Sequence, residues 1–262
     1  MAQPPFRENV VIVTGSSRGI GRELAYQLAS QGAWLVLAAR SQEKLEQVAE
    51  ECRKRGGKAL VVQTDVTDES QCQRLIERTV EAYGRLDTLV NNAGYGLPKR
   101  IEAMRDLADL KAEMELNYYG TVHCAVHALP HLRQSKGRIV GVCSFGGLIG
   151  IPGTGGYNSA KHAMRGFLNT LRVELRGSGV SVTVAYLGAI RTERLIESMG
   201  PNVEKVPTMA PERCAALILK HGGKRHRQVV MTLAGKSLVW VQLLAPALLD
   251  RTLASLPINY QD

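Results

Sequence analysis

Short runs of apolar, largely β-branched residues recur along the chain, separated by amphipathic stretches. Residues 9–14 (NVVIVT), 33–39 (AWLVLAA), 59–63 (ALVVQ), 88–90 (TLV), 137–143 (GRIVGVC) and 181–186 (SVTVAY) are apolar at nearly every position. A strand apolar on consecutive residues has both faces buried, the pattern of a parallel sheet covered by helices. Between these runs, residues 42–55 and 69–83 carry apolar side chains at three- and four-residue spacing among charges, which predicts helices. A long helix is predicted over 107–131, another from the region of Tyr157 to about 176, and a shorter one over 212–220, followed by a last strand over 228–231. Strand and helix alternate without an internal repeat. The pattern predicts an α/β fold with one doubly wound parallel sheet in three layers.

Length and charge narrow this picture. The chain has 262 residues, enough for one large domain and too few to require two. A net charge of +9 points to nucleic acid or an anionic membrane. However, basic residues are interleaved with acids and aromatics make up only 5% of the chain, so nucleic acid is not expected. The densest basic run, KHGGKRHR over 220–227, reads as a solvated loop or a phosphate or lipid-surface contact. Five cysteines without a CxxC pair read as reduced thiols in a cytoplasmic protein. The opening MAQPPFREN has no apolar signal core, and no run of about 18 apolar residues predicts a membrane span.

The first strand runs into GSSRGIG, residues 15–21, and then a helix. Strand, glycine-rich turn and helix in that order make a dinucleotide-binding opening, with Gly15, Ser17, Arg18, Gly19, Ile20 and Gly21 against the pyrophosphate. An NAD-binding fold places an acid about 20 residues further on, to accept from the ribose hydroxyl. Here that place holds Ala38, Ala39 and Arg40. Arg18 and Arg40, with no carboxylate, favour a 2′-phosphate and hence NADP(H). After the third strand, Asp65 and Val66 are placed at the adenine ring. Asp65 reads equally as a helix cap. Asn91, Ala93 and Gly94, from NNAG at the end of the fourth strand, fall in the crevice where such sheets bind ligands.

The second centre of chemistry is residues 143–161, CSFGGLIGIPGTGGYNSAK. Tyr157 and Lys161 are one helical turn apart and share a face. An ammonium beside a phenol lowers the phenol pKa, so that Tyr157 can exchange a proton with an alcohol or carbonyl near neutral pH. Ser144 is placed to hold the same oxygen. Asn117 inside the long helix is a poor helix former and predicts a local distortion. His123, His127 and His131 have the spacing of a metal ladder, but without a matching carboxylate or cysteine they read as an interface or surface stripe, and no metal is expected. Residues 187–211 form a punctuated segment suited to a substrate lid. The apolar segment 236–256, broken by Pro246, reads as a helix pair packed on the subunit or over the pocket, or as a monotopic membrane contact.

Taken together, TGSSRGIG, NNAG and the ordered set Asn117, Ser144, Tyr157 and Lys161 resemble the short-chain dehydrogenase/reductase family from Asn9 to about Met231. The resemblance implies a Rossmann-like sheet of about seven strands and a catalytic tetrad of Asn117, Ser144, Tyr157 and Lys161. It implies that Tyr157 and Lys161 also contact the cofactor, and that the loop Gly188, Ile190, Thr192 reaches the nicotinamide carboxamide. The family usually has Pro-Gly where this chain has Leu187-Gly188, and Ser where it has Cys143. Cys143 reads as a buried small residue. The resemblance also implies a homodimer or homotetramer, and Arg18 and Arg40 match its NADP-preferring branch. The C-terminal apolar extension is similar to that of hydroxysteroid-dehydrogenase-like members.

The expected function is NADP(H)-dependent interconversion of a ketone and a secondary alcohol on an apolar, lipid- or steroid-like small molecule. Reduction of 3-oxoacyl thioesters is the alternative enzyme. A non-catalytic NADP(H)-binding sensor or scaffold is the alternative of another class, though a sensor has no need of the intact tetrad. Tyr157 would donate the proton, Lys161 would tune it, Ser144 would fix the oxygen, and Asn117 would hold a water linking Lys161 to solvent. The protein is expected in the cytoplasm, with weak peripheral membrane contact through the C-terminal segment.

Overall fold

A computed structural model describes residues 4–104 and 106–255. Seven parallel strands, β1 (Val10–Thr14), β2 (Trp34–Ala39), β3 (Lys58–Gln63), β4 (Thr88–Asn91), β5 (Arg138–Ser144), β6 (Ser181–Leu187) and β7 (Gln228–Val230), form one sheet in the order β3-β2-β1-β4-β5-β6-β7. This is a Rossmann-like doubly wound sheet. The apolar runs serve both faces. Val11 and Val13 of β1 join the core on one side and Ile12 joins the other, and in β2 Leu35 and Leu37 oppose Val36 and Ala38. One layer is α1 (Gly19–Ala29), α2 (Gln42–Lys54) and α8 (Pro211–Gly223). The other is α3 (Glu69–Tyr83), α5 (Gly120–Ser135) and α6 (Gly155–Glu174). Strand order reverses between β1 and β4, which opens the crevice at their C-terminal ends.

The predicted strand and helix boundaries hold to within a few residues where caps are local. The Ser41 side chain accepts from Lys44 N–H at the start of α2. The Asp68 side chain accepts from Gln71 N–H at the start of α3, and Gly84 ends that helix at φ 74°. The cap of α3 is therefore Asp68. Asp65 instead accepts from the Thr67 N–H and hydroxyl.

The helix predicted over 107–131 is three pieces: α4 (Ala108–Met114), a π-helical turn at Glu115–Tyr119, and α5. Asn117 lies inside the π turn, where the expected distortion falls. Pro130 does not end the helix, which continues to Ser135. Pro130 is exposed, and so is Val126, whose carbonyl a proline at this position leaves without a helical donor. The histidine stripe faces neighbouring chain: His123 Nδ1 lies 3.2 Å from Val66 O, and His127 Nε2 lies 3.3 Å from Glu69 Oε1.

Residues 187–211, expected to serve as a lid, are more ordered than their punctuation predicts. Thr192 caps α7 (Glu193–Met199), a 3₁₀ helix follows at Gly200–Lys205, and Ile190 bridges Met209, with Arg191 N–H donating to Met209 O at 2.9 Å. Residues 236–256 give a helix pair, α9 (Leu233–Leu244) and α10 (Pro246–Ala254), with Leu256 outside the described residues. Leu249, Leu253, Leu238 and Val241 pack on Ile149 and Ile151, so the pair covers the segment after β5.

Candidate active site

The glycine turn is shaped by contacts that only glycine permits. Gly15 sits at φ 66° and Gly19 at φ 54°, and a Cβ on Gly21 would lie 2.2 Å from Gly15 O. Asn92 locks the turn to β4 by donating to Thr14 O at 2.9 Å and Gly15 O at 3.2 Å. α1 begins at Gly19 with no side-chain cap and no acid in its first turn, so its N-terminal N–H groups and dipole are free to face an anion. These features fit a dinucleotide pyrophosphate.

Arg40 is exposed at the end of β2, its carbonyl accepting from Gln63. Arg18 contacts Glu197 of α7 at 3.3 Å, and Arg22 contacts Glu193 at 2.9 Å. A cavity of about 280 Å³ lies between the glycine turn, α2 and α7, lined by Ser17, Arg18, Arg22 and Lys44 among others. Glu193 and Glu197 line it too and pair with Arg22 and Arg18, so a 2′-phosphate would take its cations by replacing those carboxylates. Sequence reasoning missed Arg22 and Lys44; their signal is position, one turn into the helices that follow the glycine loop and Arg40. Glu193 and Glu197 gave none, because nothing local places α7 on the glycine turn. Thr192 does so: its methyl would stand 3.1 Å from a Cβ on Gly19.

At the ends of β4 and β5 the structure brings Asn117, Ser144, Tyr157 and Lys161 together. Asn117 Nδ2 donates to Tyr95 O at 2.8 Å and Glu113 O at 2.9 Å. Its Oδ1 is buried without a hydrogen-bond partner. A Cβ on Gly94 would meet Asn117 Oδ1 at 2.4 Å and Lys161 Nζ at 3.2 Å, so the two polar atoms flank one glycine. Lys161 is 3% exposed and its Nζ donates to Val142 O at 3.1 Å. Burial pulls its pKa below the ordinary lysine value.

The Tyr157 ring packs on Gly96 and lies 5.6 Å from Lys161 Nζ. Its pKa is raised, the reverse of the sequence expectation. Burial of the phenol is the largest cause, a hydrogen bond with Ser144 pulls the other way, and Cys143 and Glu113 add to the rise. Lys161 is not among the groups that move the phenol, and burial pulls its own pKa down as well. A raised pKa favours the protonated phenol, the form that a proton donor needs. Cys143 is buried with its thiol pKa pushed up, so it is no nucleophile.

The other expected contacts have varied surroundings. Asn91 is buried and donates to Thr121 O, while Ala93 N–H donates to the Thr14 hydroxyl. Val66 is buried, with its carbonyl facing α5. Gly188 lies against Phe145, and Ile190 is buried where the loop is bridged to Met209, which fixes this loop without the usual proline.

Residues 9–200 match the family model described as short chain dehydrogenase. An 11-beta-hydroxysteroid dehydrogenase of Pinus massoniana is 36% identical over 266 residues, spanning 96% of this chain and 74% of that protein. The 11-beta-hydroxysteroid dehydrogenase-like 4A of Arabidopsis thaliana is 42% identical over 182 residues, 69% of this chain and 60% of that protein. Among solved structures, an alcohol dehydrogenase from the archaeon Thermococcus sibiricus complexed with 5-hydroxy-NADP superposes with a TM-score of 0.78 at 28% identity, covering 85% of this chain and 95% of that one.

Proposed function

The chain belongs to the short chain dehydrogenase family, an oxidoreductase acting on alcohol groups, and from that premise we propose NADP(H)-dependent interconversion of a ketone and a secondary alcohol on an apolar, lipid- or steroid-like molecule. The observation that carries this reading is the convergence of Tyr157, Ser144, Lys161 and Asn117 beside the glycine-turn crevice. When bound, the cofactor supplies or takes up the hydride. The chain does the rest. The Ser144 hydroxyl fixes the substrate oxygen, and Tyr157 gives its proton to the developing alkoxide, or takes it back in oxidation. Lys161 sits beside the phenol, and the unpartnered Asn117 Oδ1 is available to a water that replenishes the proton. The whole chain acts as one dehydrogenase domain, with residues 187–211 as lid. The names of the relatives support a steroid-like substrate.

NADPH oxidation against a panel of apolar ketones, steroids and acyl thioesters tests this reading. Turnover with an apolar ketone supports it; turnover with acyl thioesters alone transfers the assignment to the thioester reductase, and tight NADPH binding without any turnover transfers it to the sensor.

The cations around Arg18 and Arg40 support NADP over NAD. Arg40→Ala is expected to weaken NADPH binding about tenfold or more, the size of a lost charge-assisted contact, while NADH binding changes little. Titration of cofactor fluorescence checks this, and equal losses for the two cofactors refute the 2′-phosphate role.

No helix among the described residues is long and apolar enough to cross a membrane. We also propose that the α9–α10 corner rests on an anionic lipid surface. Trp240 (64%), Leu243 (68%), Leu244 (78%) and Leu248 (59%) are exposed there. Burial and His226 lower the His221 pKa, and Lys220, Lys224 and Lys236, the last at the start of α9, add to the fall, which sets three cations around this imidazole. Sedimentation with anionic vesicles at low salt is expected to carry the protein down, and less so for Trp240→Ser. A protein that stays in the supernatant refutes the contact.

A further inference from the structure

Glu113 is a carboxylate buried to 2% exposure inside α4, and the proposed proton transfer gives it no part. Oε1 accepts from Leu97 N–H at 2.7 Å, on the segment that follows β4. The other oxygen faces the N-terminus of α6: a Cβ on Gly156 would lie 2.2 Å from Oε2, and the Tyr157 N–H is hydrogen-bonded to the carboxylate. α6 has no cap of its own. Thr154 at its N-cap makes no side-chain capping bond, and its first turn carries no acid. A 20-residue helix thus opens with unsatisfied N–H groups and the positive end of its dipole, and α4 supplies the missing anion. The missing side chain of Gly156 leaves the room.

We propose that Glu113 is a positioning residue for Tyr157, clamping the first turn of α6 to the Leu97 segment and setting a carboxylate against the Tyr157 backbone. The proposal rests on the reading of Tyr157 as the proton-transfer group. Three observations converge on it. The clamp joins the segment that packs on the phenol ring to the helical turn that carries it, because Gly96, against the ring, precedes Leu97. The adjacent turn of the same helix holds Asn117, whose Nδ2 donates to Glu113 O, so one segment orients two members of the tetrad. Finally, burial raises the Glu113 pKa while the Leu97 and Tyr157 N–H groups pull it back toward the ionised form, and that charge adds, after burial and Cys143, to the rise of the phenol pKa. The other groups facing the phenol are Lys161 on its own helix and Cys143 and Ser144 on β5; Asp109, one turn before Glu113, is paired with Lys99 at 2.9 Å.

Glu113→Gln tests both halves at nearly constant volume. A carboxamide has one accepting oxygen, so it cannot serve two N–H donors from separate oxygens. In the cofactor-free variant, exchange of the Leu97 or Tyr157 amide is expected to quicken about tenfold or more. Removing the charge lowers the proton affinity of Tyr157. Carbonyl reduction, which needs the phenol protonated, then loses kcat at lower pH: the alkaline limb moves down by about half a pH unit or more, and the rising limb of alcohol oxidation moves with it. Unchanged exchange at both amides overturns the clamp, and an unmoved limb overturns the charge. Tyr157→Phe separates the underlying reading: full turnover there defeats the proton-transfer role, while the exchange measurement still reports the clamp.

Discussion

Tyr157→Phe is expected to lower kcat for carbonyl reduction about 10²–10⁴-fold, the usual contribution of a positioned proton donor, and to leave NADPH affinity unchanged. The substitution isolates the hydroxyl. The ring of Tyr157 fills the space over Gly96, where a Cβ would stand 2.7 Å from its Cγ, and phenylalanine keeps that packing. Burial raises the Tyr157 pKa, so the wild-type group carries its proton at neutral pH, and the variant has no proton to give. Steady-state reduction of the best ketone, together with fluorescence titration of NADPH, measures the two quantities separately. Wild-type turnover in the variant overturns the assignment. Equal loss of cofactor affinity would place the residue in binding rather than in proton transfer.

Gly21→Ala is expected to damage fold and cofactor site together. The new methyl would meet Gly15 O at 2.2 Å and Asn92 Nδ2 at 2.6 Å, and the first of these is backbone that cannot rotate away. Forcing it in costs about 1–3 kcal/mol by the measure of overpacked cores. At about 2–4 °C per kcal/mol for a chain somewhat shorter than this one, Tm falls by several degrees. Because the displaced atoms are those that shape the turn, NADPH affinity falls by more than the stability loss alone explains. Gly166→Ala is the control: it is exposed in α6, has no neighbour within 4 Å of its Cβ position, and should gain about 0.5–1 kcal/mol. Thermal denaturation with and without NADPH reads both. An unchanged Tm and affinity in Gly21→Ala would mean that the turn is looser than its contacts indicate.

Much of this was legible in the residues because it is local. Continuous apolar strands mark a sheet covered on both faces, the spacing over 69–83 gives the limits of α3 although its cap was read at Asp65 and is Asp68, and the glycine turn and the Tyr157–Lys161 pair are short-range patterns. What was not legible depends on partners distant in the chain. Arg18 reads as a free cation until α7 brings Glu197 to it. The sign of the Tyr157 shift turns on burial by elements that no spacing describes, and so an inference from the neighbouring ammonium alone came out reversed. Glu113 reads as one more charge on an amphipathic helix; only the close approach of Gly156 shows that its face is turned inward. The segment 187–211 was legible as a break in pattern, but its order comes from Thr192 and the Ile190–Met209 bridge.

The π turn at Glu115–Tyr119 makes the length of this segment a structural variable in its own right. An α-helix advances about 100° per residue, and a π turn takes up one residue more than the regular spiral needs. That surplus sets the phase between α4, which directs Glu113 at the start of α6, and α5, which turns Thr121, Cys124, Ala125 and Ala128 inward. In an exposed loop, gaining or losing a residue is absorbed by slack. Here there is none: a change of one residue would reach the tetrad as a rotation, with every side chain's chemistry intact and its bearing wrong. Across these five positions the number of residues matters as much as the identity of Asn117.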